Sequence, residues 1–155
     1  MGDRVTHASM PIGAYSEKQV MPEEKLVSVP DGISDEVASC ITLKGITAEY
    51  LLHRAYPLKK GDKVLYHAAA GALGQILCPW ANALGAEVIG TVGSKAKEEI
   101  AKKNGCHHVI NYSEKDFVEE VEKIVGKNGI DVVYDGVGTK TFKGSIETLK
   151  IRGMM

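Results

Sequence analysis

From Lys60 onward, short apolar runs alternate with longer stretches whose apolar positions follow a helical period. The predicted strands are Val64–Ala68, Glu87–Val92, His108–Asn111 and Ile130–Tyr134. The predicted helices are Ala72–Leu84, Lys95–Asn104, one that begins with the capping box Ser113–Asp116, and Thr141–Leu149. Continuous apolar strands are typical of burial on both faces, so this part predicts a doubly wound parallel sheet of order 3-2-1-4. The final residues, 152–155, are interpreted as the approach to a fifth strand.

Before Lys60 the hydrophobic pattern is different and predicts a β-rich segment followed by two helices. The predicted strands are Arg4–Ala8, Gly13–Val20 and Leu26–Val29. The predicted helices are Asp35–Leu43, with Ser34 as N-cap, and Thr47–Arg54, with an interruption at Gly45 and an end at Pro57. Three short strands need a partner surface to be stable. We therefore expect residues 1–33 to be part of another domain, 34–59 to be connecting helices and 60–155 to be the α/β domain.

The segment HAAAGALGQ, residues 67–75, joins the first predicted strand of the α/β part to a helix. It resembles the dinucleotide fingerprint G-x-G-x-x-G with Ala69, Gly71 and Gly74 at the glycine positions. Gly71 would let the backbone approach a pyrophosphate, and Gly74 would let the helix pack on the strand. Ala69 could form the tight turn if its φ is negative. The same small residues could serve helix–strand packing alone, but the flanking strand and helix favour nucleotide binding.

The end of the next strand indicates which dinucleotide is bound. NAD-binding sheets place an acidic residue about 20 residues after the glycines, where it binds the ribose 2′-hydroxyl. Here the strand ends in TVGSKAK, with Ser94, Lys95 and Lys97 and without a carboxylate. This favours the 2′-phosphate of NADPH, although the lysines could also be an ordinary solvated start of a helix.

Composition excludes several classes of function. The 155 residues are 44% hydrophobic and 25% charged, with a net charge of −1, which is typical of a globular protein. No basic stripe indicates nucleic acid or a membrane surface, and no apolar run approaches the roughly 18 residues of a membrane span. The three cysteines form no CxxC motif, so a disulfide framework or zinc knuckle is not expected. These features predict a soluble, cytoplasmic protein.

In order along the chain, the stretches GDRV, GAYSE, LKGITAEYLL, GDKVLYHAAAGALGQ, WANALGAEVIGTVGS, VINY and VVYDGVG resemble the medium-chain dehydrogenase/reductase superfamily. They are most similar to its zinc-free NADPH:quinone oxidoreductase (zeta-crystallin-like) branch. The resemblance implies the C-terminal remnant of a GroES-like catalytic domain followed by the first four strands of a Rossmann domain. We therefore expect a partial chain or a naturally shortened relative.

The resemblance also implies which residues contact NADPH. Those near the nicotinamide or its ribose are Thr47, Tyr50, Gly136 and Val137. Those at the pyrophosphate are Gly71, Ala72, Leu73 and Gly74. Those at the 2′-phosphate and adenosine are Gly93, Ser94, Lys97 and Tyr112. No catalytic side chain is implied, because the cofactor carries the chemistry.

Zinc-dependent relatives carry a four-cysteine lobe soon after GDRV. No such cysteines follow here, so a structural zinc is not expected. The catalytic zinc ligands of those relatives lie partly upstream of the matched stretches, and no metal-ligating residue is predicted within this chain. The histidines have no metal-ligand spacing and are interpreted as surface or strand-end residues; they are His7, His53, His67, His107 and His108.

The implied function is hydride transfer from NADPH to a small-molecule quinone or activated alkene. Two alternatives remain open: a non-catalytic NADPH-binding or structural fragment, and an enone or alkenal reductase of the same superfamily. We also expect a homo-oligomer, because the fourth strand would be an exposed sheet edge that invites pairing with another copy.

Overall fold

The structure, a computed structural model, describes residues 2–155. The chain consists of two compact units, one that ends at Thr47 and one from Ala48 to Met155. No helix of the described residues has the length and apolar character needed to cross a bilayer. The predicted boundaries after residues 33 and 59 stay predictions.

The first unit contains a small antiparallel sheet of two strands, β1 (Val5–Thr6) and β2 (Val27–Ser28), in which Val5 pairs with Ser28. A short 3-10 helix, Glu23–Lys25, precedes β2. The predicted first and third strands are therefore present but only two residues long. The predicted strand Gly13–Val20 is wrong, because Gly13 has a φ of +139° and the Ser16 hydroxyl donates to its carbonyl at 2.6 Å, which closes a turn.

Helix α1 (Asp35–Glu49) begins as predicted, since the Ser34 hydroxyl accepts a hydrogen bond from the Val37 N–H at 3.3 Å. It continues without a break through Gly45 into a π-helical segment, Tyr50–Ala55. The predicted interruption at Gly45 is wrong, because one glycine in a helix costs only about 1 kcal/mol relative to alanine. The helical segment ends before Pro57, as predicted.

The second unit is a five-stranded parallel sheet of order β5-β4-β3-β6-β7. Its strands are β3 (Lys63–His67), β4 (Glu87–Val92), β5 (His108–Asn111), β6 (Ile130–Tyr134) and β7 (Leu149–Met154). Its helices are α2 (Gly74–Ala83), α3 (Lys95–Lys103), α4 (Phe117–Val125) and α5 (Phe142–Thr148). The predicted doubly wound Rossmann-type sheet is confirmed. One detail of a helix start is wrong: Asp116, and not Ser113, caps α4 and accepts from two N–H groups at 2.8 and 3.2 Å.

The prediction of only four strands is also wrong, because β7 adds a fifth strand next to β6. The hydrophobic pattern did not predict β7 because the strand contains no continuous apolar run. In the structure its Ile151 is 90% exposed, and Arg152 has a left-handed φ of +67°. A register shift opposite Ile130–Val132 bulges the strand. The buried Asp131 of β6 nevertheless ties the sheet together, since its carboxylate accepts from the Lys63 N–H of β3 and pairs with Lys150 of β7.

The core lies on both faces of the sheet, which explains the continuous apolar strands. Alternate residues of β3 point to opposite faces, so that Val64 packs in one buried cluster and Leu65 in the other. Leu77 of α2 belongs to the first cluster and Val121 of α4 to the second. Full burial of each such side chain contributes about 1.5–3 kcal/mol, so the sheet is a firm platform for the loops at its edge.

Candidate nucleotide-binding site

The loops after β3, β4 and β6 lie together at the carboxyl edge of the sheet. In a doubly wound sheet, ligands bind at this edge where the order of strands reverses, here between β3 and β6. The residues predicted to bind the cofactor within the second unit, apart from Tyr50, lie in these loops, at the adjoining helix starts, or directly after β5. The sheet topology therefore brings together the segments that were predicted from the sequence to bind the cofactor.

The turn between β3 and α2 has its left-handed residue one position earlier than the fingerprint suggests. Ala68 has a φ of +61°, whereas Ala69 does not have a positive φ, as its predicted role required. The Gly71 N–H donates to the Ala68 carbonyl at 2.8 Å, and the Ala69 N–H donates to the Thr91 carbonyl at 3.0 Å. A non-glycine residue in this conformation costs about 1–2 kcal/mol, which the turn and strand contacts offset.

Ala69 occupies the place of the first fingerprint glycine because the neighbouring strand leaves room for its methyl group. Ala69 is fully buried and packs against Gly90 of β4. A Cβ atom added to Gly90 would lie 2.6 Å from the Ala69 Cβ and 2.7 Å from the Cys106 Sγ. The small residue needed at this crossing is thus on β4 and not in the turn. The glycine at position 90 was the available sequence signal, since a glycine within a strand often marks a close approach.

The other two fingerprint glycines differ in what they do. A Cβ on Gly74 would lie 2.7 Å from the Ala69 carbonyl carbon, so the start of α2 packs directly on the loop. Gly71 is exposed and presents bare backbone at the surface. Leu73 precedes α2 without a side-chain cap. The Gln75 and Ile76 N–H groups already donate to the Gly71 and Leu73 carbonyls at 3.0 Å each, so the N–H groups left for an anion belong to the residues just before them, where the positive end of the helix dipole also lies. Ala72 is also exposed in this loop.

The tip of β4 holds the residues predicted for the 2′-phosphate and adenosine. A Cβ on Gly93 would lie 2.6 Å from the Tyr112 hydroxyl, so this half-exposed ring lies directly over the glycine. Ser94 precedes α3 in extended conformation, and its side chain makes no capping bond. Lys97 is exposed in the first turn of α3. Glu98, the carboxylate of that turn, accepts a hydrogen bond from the Asn111 side chain at 3.2 Å.

The loop after β6 is shaped by Asp135, which is not among the residues predicted to bind the cofactor. One carboxylate oxygen accepts from the N–H groups of Val137 and Gly138 at 2.8 and 3.0 Å, and the other accepts from the Thr141 hydroxyl at 2.7 Å. Burial alone would raise the pKa of Asp135. The hydrogen bonds and the nearby His67 more than offset burial, so this pKa lies below its ordinary value. The available signal was Asp followed by glycines, which is typical of an Asx turn.

Gly136 and Val137, predicted to lie beside the nicotinamide, are exposed on this Asp135 turn. A Cβ on Gly136 would meet nothing within 4 Å. The turn therefore leaves open space next to the backbone, which a flat ring could occupy.

His67 is a strand-end residue as predicted, but it is not on the surface. Only 2% of it is exposed, and its ring lies edge-on to Phe117 with centroids 5.0 Å apart. Its Nδ1 is 2.8 Å from the Thr91 hydroxyl, and its Nε2 is 2.9 Å from the Ser145 hydroxyl. Burial lowers the pKa of His67, and the charge of Asp135 opposes that shift only in part. His67 is therefore a neutral, fully hydrogen-bonded imidazole at neutral pH.

Two further predicted residues lie near the end of α1. The Thr47 hydroxyl donates to the Leu43 carbonyl at 2.7 Å within the first unit, which satisfies its own donor inside the helix. Tyr50 begins the π-helical segment of the second unit, and 54% of it is exposed. Their roles at the nicotinamide stay predictions. Among residues 2–155, no group of three His, Cys, Asp or Glu side chains could hold a metal ion.

Comparison with known proteins gives consistent matches. A family model described as zinc-binding dehydrogenase matches residues 72–155. The chain is 51% identical to a 2-haloacrylate reductase of a Burkholderia species and 46% identical to quinone oxidoreductase 1 of Escherichia coli K12. Both alignments cover 99% of this chain and 47% of the relative.

Solved structures give the same picture. A crystal structure of Escherichia coli quinone oxidoreductase complexed with NADPH superposes with a TM-score of 0.95 at 46% identity. The superposition covers 99% of this chain and 47% of that one. This chain thus spans about half the length of the relatives that it matches.

Proposed function

Because the chain belongs to the zinc-binding dehydrogenase family, in the quinone oxidoreductase branch of the medium-chain dehydrogenase/reductase superfamily, we propose that it binds NADPH as part of an NADPH-dependent reductase. The substrate in this proposal is a small quinone or an activated alkene. One observation carries the proposal: the turn from Ala68 to Gly74 combines exposed glycine backbone with an uncapped helix start at the edge of the sheet. That combination suits a pyrophosphate.

The preference for NADPH over NADH follows from the tip of β4. Lys97 and the uncapped Ser94 can meet a 2′-phosphate, while Glu98, the carboxylate in the first turn of α3, already accepts a hydrogen bond from Asn111. An NAD site needs a free acid here to accept from the ribose 2′-hydroxyl. Tyr112, lying over Gly93, offers a flat surface beside the adenosine. The NADPH-bound Escherichia coli structure supports the same choice.

The nicotinamide would lie along the Asp135 turn, with Gly136 and Val137 beside the ring. When bound, the cofactor supplies the hydride, and the chain supplies orientation and exclusion of water. No side chain is therefore needed as a nucleophile. This agrees with the structure, in which the side chains of Asp135 and His67 are both held in hydrogen bonds.

The choice between a quinone and an activated alkene as substrate has support on both sides. The relative that is 51% identical is named for reduction of 2-haloacrylate, whereas several others are named quinone oxidoreductases. Both kinds of substrate accept a hydride at an electron-poor carbon or oxygen of a conjugated system. A non-catalytic NADPH-binding role remains the second candidate, and steady NADPH oxidation with added benzoquinone or 2-chloroacrylate by the purified chain would refute it.

We also propose a homo-oligomer and a cytoplasmic location. The predicted fourth strand, β6, is not an edge, because β7 pairs with it. Among the described residues β7 is the outermost strand on that side, and its exposed Ile151 offers an apolar side chain to a second copy. The free thiols Cys40, Cys78 and Cys106 are consistent with a reducing compartment.

The test of NADPH binding is a fluorescence titration of the chain with NADPH and with NADH. We expect tighter binding of NADPH, and we expect Lys97→Ala to weaken NADPH binding up to about fivefold, the value of an exposed ion pair of about 1 kcal/mol, with NADH unchanged. Lys103→Ala, which removes the same charge at the other end of α3, is the matched control. Equal affinities for the two dinucleotides, or equal effects of the two alanine variants, would contradict the assignment of the 2′-phosphate site.

A further inference from the structure

A chain of buried hydrogen bonds crosses the sheet edge beneath the candidate site. It joins the Thr91 hydroxyl of β4, the His67 ring at the end of β3, and the Ser145 hydroxyl of α5. Ser145 in turn lies 3.3 Å from the second carboxylate oxygen of Asp135. Thr91, Ser145 and His67 are each at most 2% exposed.

The other partners of Ser145 favour one direction for these hydrogen bonds. The single hydrogen of Ser145 faces the Asp135 carboxylate at 3.3 Å and the Thr141 carbonyl at 2.9 Å. Ser145 therefore accepts from the His67 Nε2–H, because its own hydrogen is directed to those acceptors. The Thr91 hydroxyl then donates to Nδ1. The ring is held as one neutral tautomer by a partner on each side.

These hydrogen bonds connect two segments of the protein that would hold different parts of one ligand. His67 directly precedes Ala68, whose left-handed conformation starts the pyrophosphate turn. Asp135 fixes the N–H groups of Val137 and Gly138 in the loop after β6. The His67 ring reaches Asp135 through Ser145, so these hydrogen bonds link the residue before the pyrophosphate turn to the loop after β6.

We propose that His67 is a positioning residue that, through Ser145, holds the Asp135 loop in register with the pyrophosphate turn, so that the nicotinamide half of the ligand finds a preformed site. The binding consequences of this proposal rest on the proposed NADPH function. The structural claim, that His67 and Ser145 set the conformation of the Asp135 loop, does not.

The first experiment separates the two halves of the ligand. Affinities of the full chain for NADPH, for 2′,5′-ADP and for reduced nicotinamide mononucleotide are measured for the wild type and for Ser145→Ala. Ser145→Ala should weaken NADPH about fivefold, as expected for one hydrogen bond, and should leave 2′,5′-ADP within about twofold. His67→Phe, which keeps the volume but removes both hydrogen bonds, should act in the same direction, and His67→Gln should restore part of the affinity.

The matched control is Thr148→Ala. Thr148 lies on the same helix, is also fully buried, and donates its hydroxyl to the Ser145 carbonyl at 2.8 Å. The Thr148→Ala variant loses a similar hydrogen bond, but that bond does not involve the Asp135 loop. Its affinities for all three ligands should therefore match those of the wild type. Equal losses of NADPH and 2′,5′-ADP affinity in Ser145→Ala, or equal effects of Ser145→Ala and Thr148→Ala, would overturn the proposal.

The second experiment needs no ligand. Nitrogen NMR of the His67 ring should show protonated Nε2 and unprotonated Nδ1, and the amide signals of Val137 and Gly138 should shift in Ser145→Ala but not in Thr148→Ala. A ring protonated on Nδ1, or unshifted amides, would overturn the claim about the loop. If the wild type binds no NADPH while these NMR results appear as expected, the proposed function fails and the positioning of the loop stands.

Discussion

The close approach between Gly90 and Ala69 gives a prediction whose size follows from two distances. In Gly90→Ala, the added methyl would lie 2.6 Å from the Ala69 Cβ and 2.7 Å from the Cys106 Sγ, where contacts between carbon atoms are favourable only at about 3.5–4.0 Å. The strand or the turn must therefore shift by roughly 1 Å in a close-packed core. Overpacking of this kind costs about 1–3 kcal/mol, and two simultaneous clashes place the expected loss at the upper end.

The second variant, Ala69→Gly, makes the interpretation specific. Alone it should destabilise by about 1–2 kcal/mol, through the lost burial of one methyl group and the greater freedom of glycine in the unfolded chain. In the double variant the clash with the Ala69 methyl is absent. The total loss should therefore be smaller than the sum of the single losses by about 1 kcal/mol, with the clash against Cys106 remaining.

The assay is urea unfolding of the four proteins, followed by tryptophan fluorescence and by circular dichroism. Trp80 packs against the core cluster of the second unit and reports on it directly. Gly136→Ala is the control, because a Cβ there would meet nothing within 4 Å and stability should stay within about 0.5 kcal/mol of the wild type. Additive losses, with a coupling below about 0.5 kcal/mol, would refute the claim that Gly90 makes room for Ala69.

Two further predictions concern stability. Gly45→Ala should stabilise the chain by up to about 1 kcal/mol, because its Cβ would meet only an Ile41 carbon at 3.9 Å and alanine is the better helix former; a lower midpoint in thermal unfolding would contradict the continuous helix. Burial holds the pKa of His67 below its ordinary 6.5, so the stability that the neutral ring contributes is present above that value and is lost as the pH falls through the folded pKa. Within that window the free energy of unfolding should rise with pH by at most about 1.4 kcal/mol per unit, and His67→Gln should lose this part of the dependence; an unchanged slope of the urea midpoint in the variant would contradict the burial of His67.

The sequence predicted the second unit well where local pattern and packing agree. His108–Asn111 and Ile130–Tyr134 are strands with the predicted bounds, because their apolar residues are buried on both faces of the sheet. The edge strand β7 was not predicted, since only one side of it pairs and a left-handed Arg152 interrupts the alternation of its side chains. The pattern around Gly13 also misled, because alternation on the surface of a loop is indistinguishable from a half-buried strand.

The candidate site divides in the same way. Residues whose role depends on backbone exposure, such as Gly71, are visible in a motif. Residues whose role depends on contacts across the fold, such as Asp135 and Ser145, are 10 positions apart and on different elements, and nothing in the local pattern pairs them. His67 was identified as a strand end, but its burial depends on Phe117 and α5, which approach only in the folded chain.

The bonding of Asp135 has a consequence for where protons come from in the proposed reaction. A quinone that accepts a hydride becomes an anion that still needs a proton. Asp135 accepts hydrogen bonds at both oxygens and has a lowered pKa, so it holds no proton to give at neutral pH. In the tautomer inferred above, the single ring hydrogen of His67 points into the interior toward Ser145. The acid at this edge of the sheet is thus a fixed part of the loop, and neither Asp135 nor His67 supplies the proton of the reduced product in the proposed reaction.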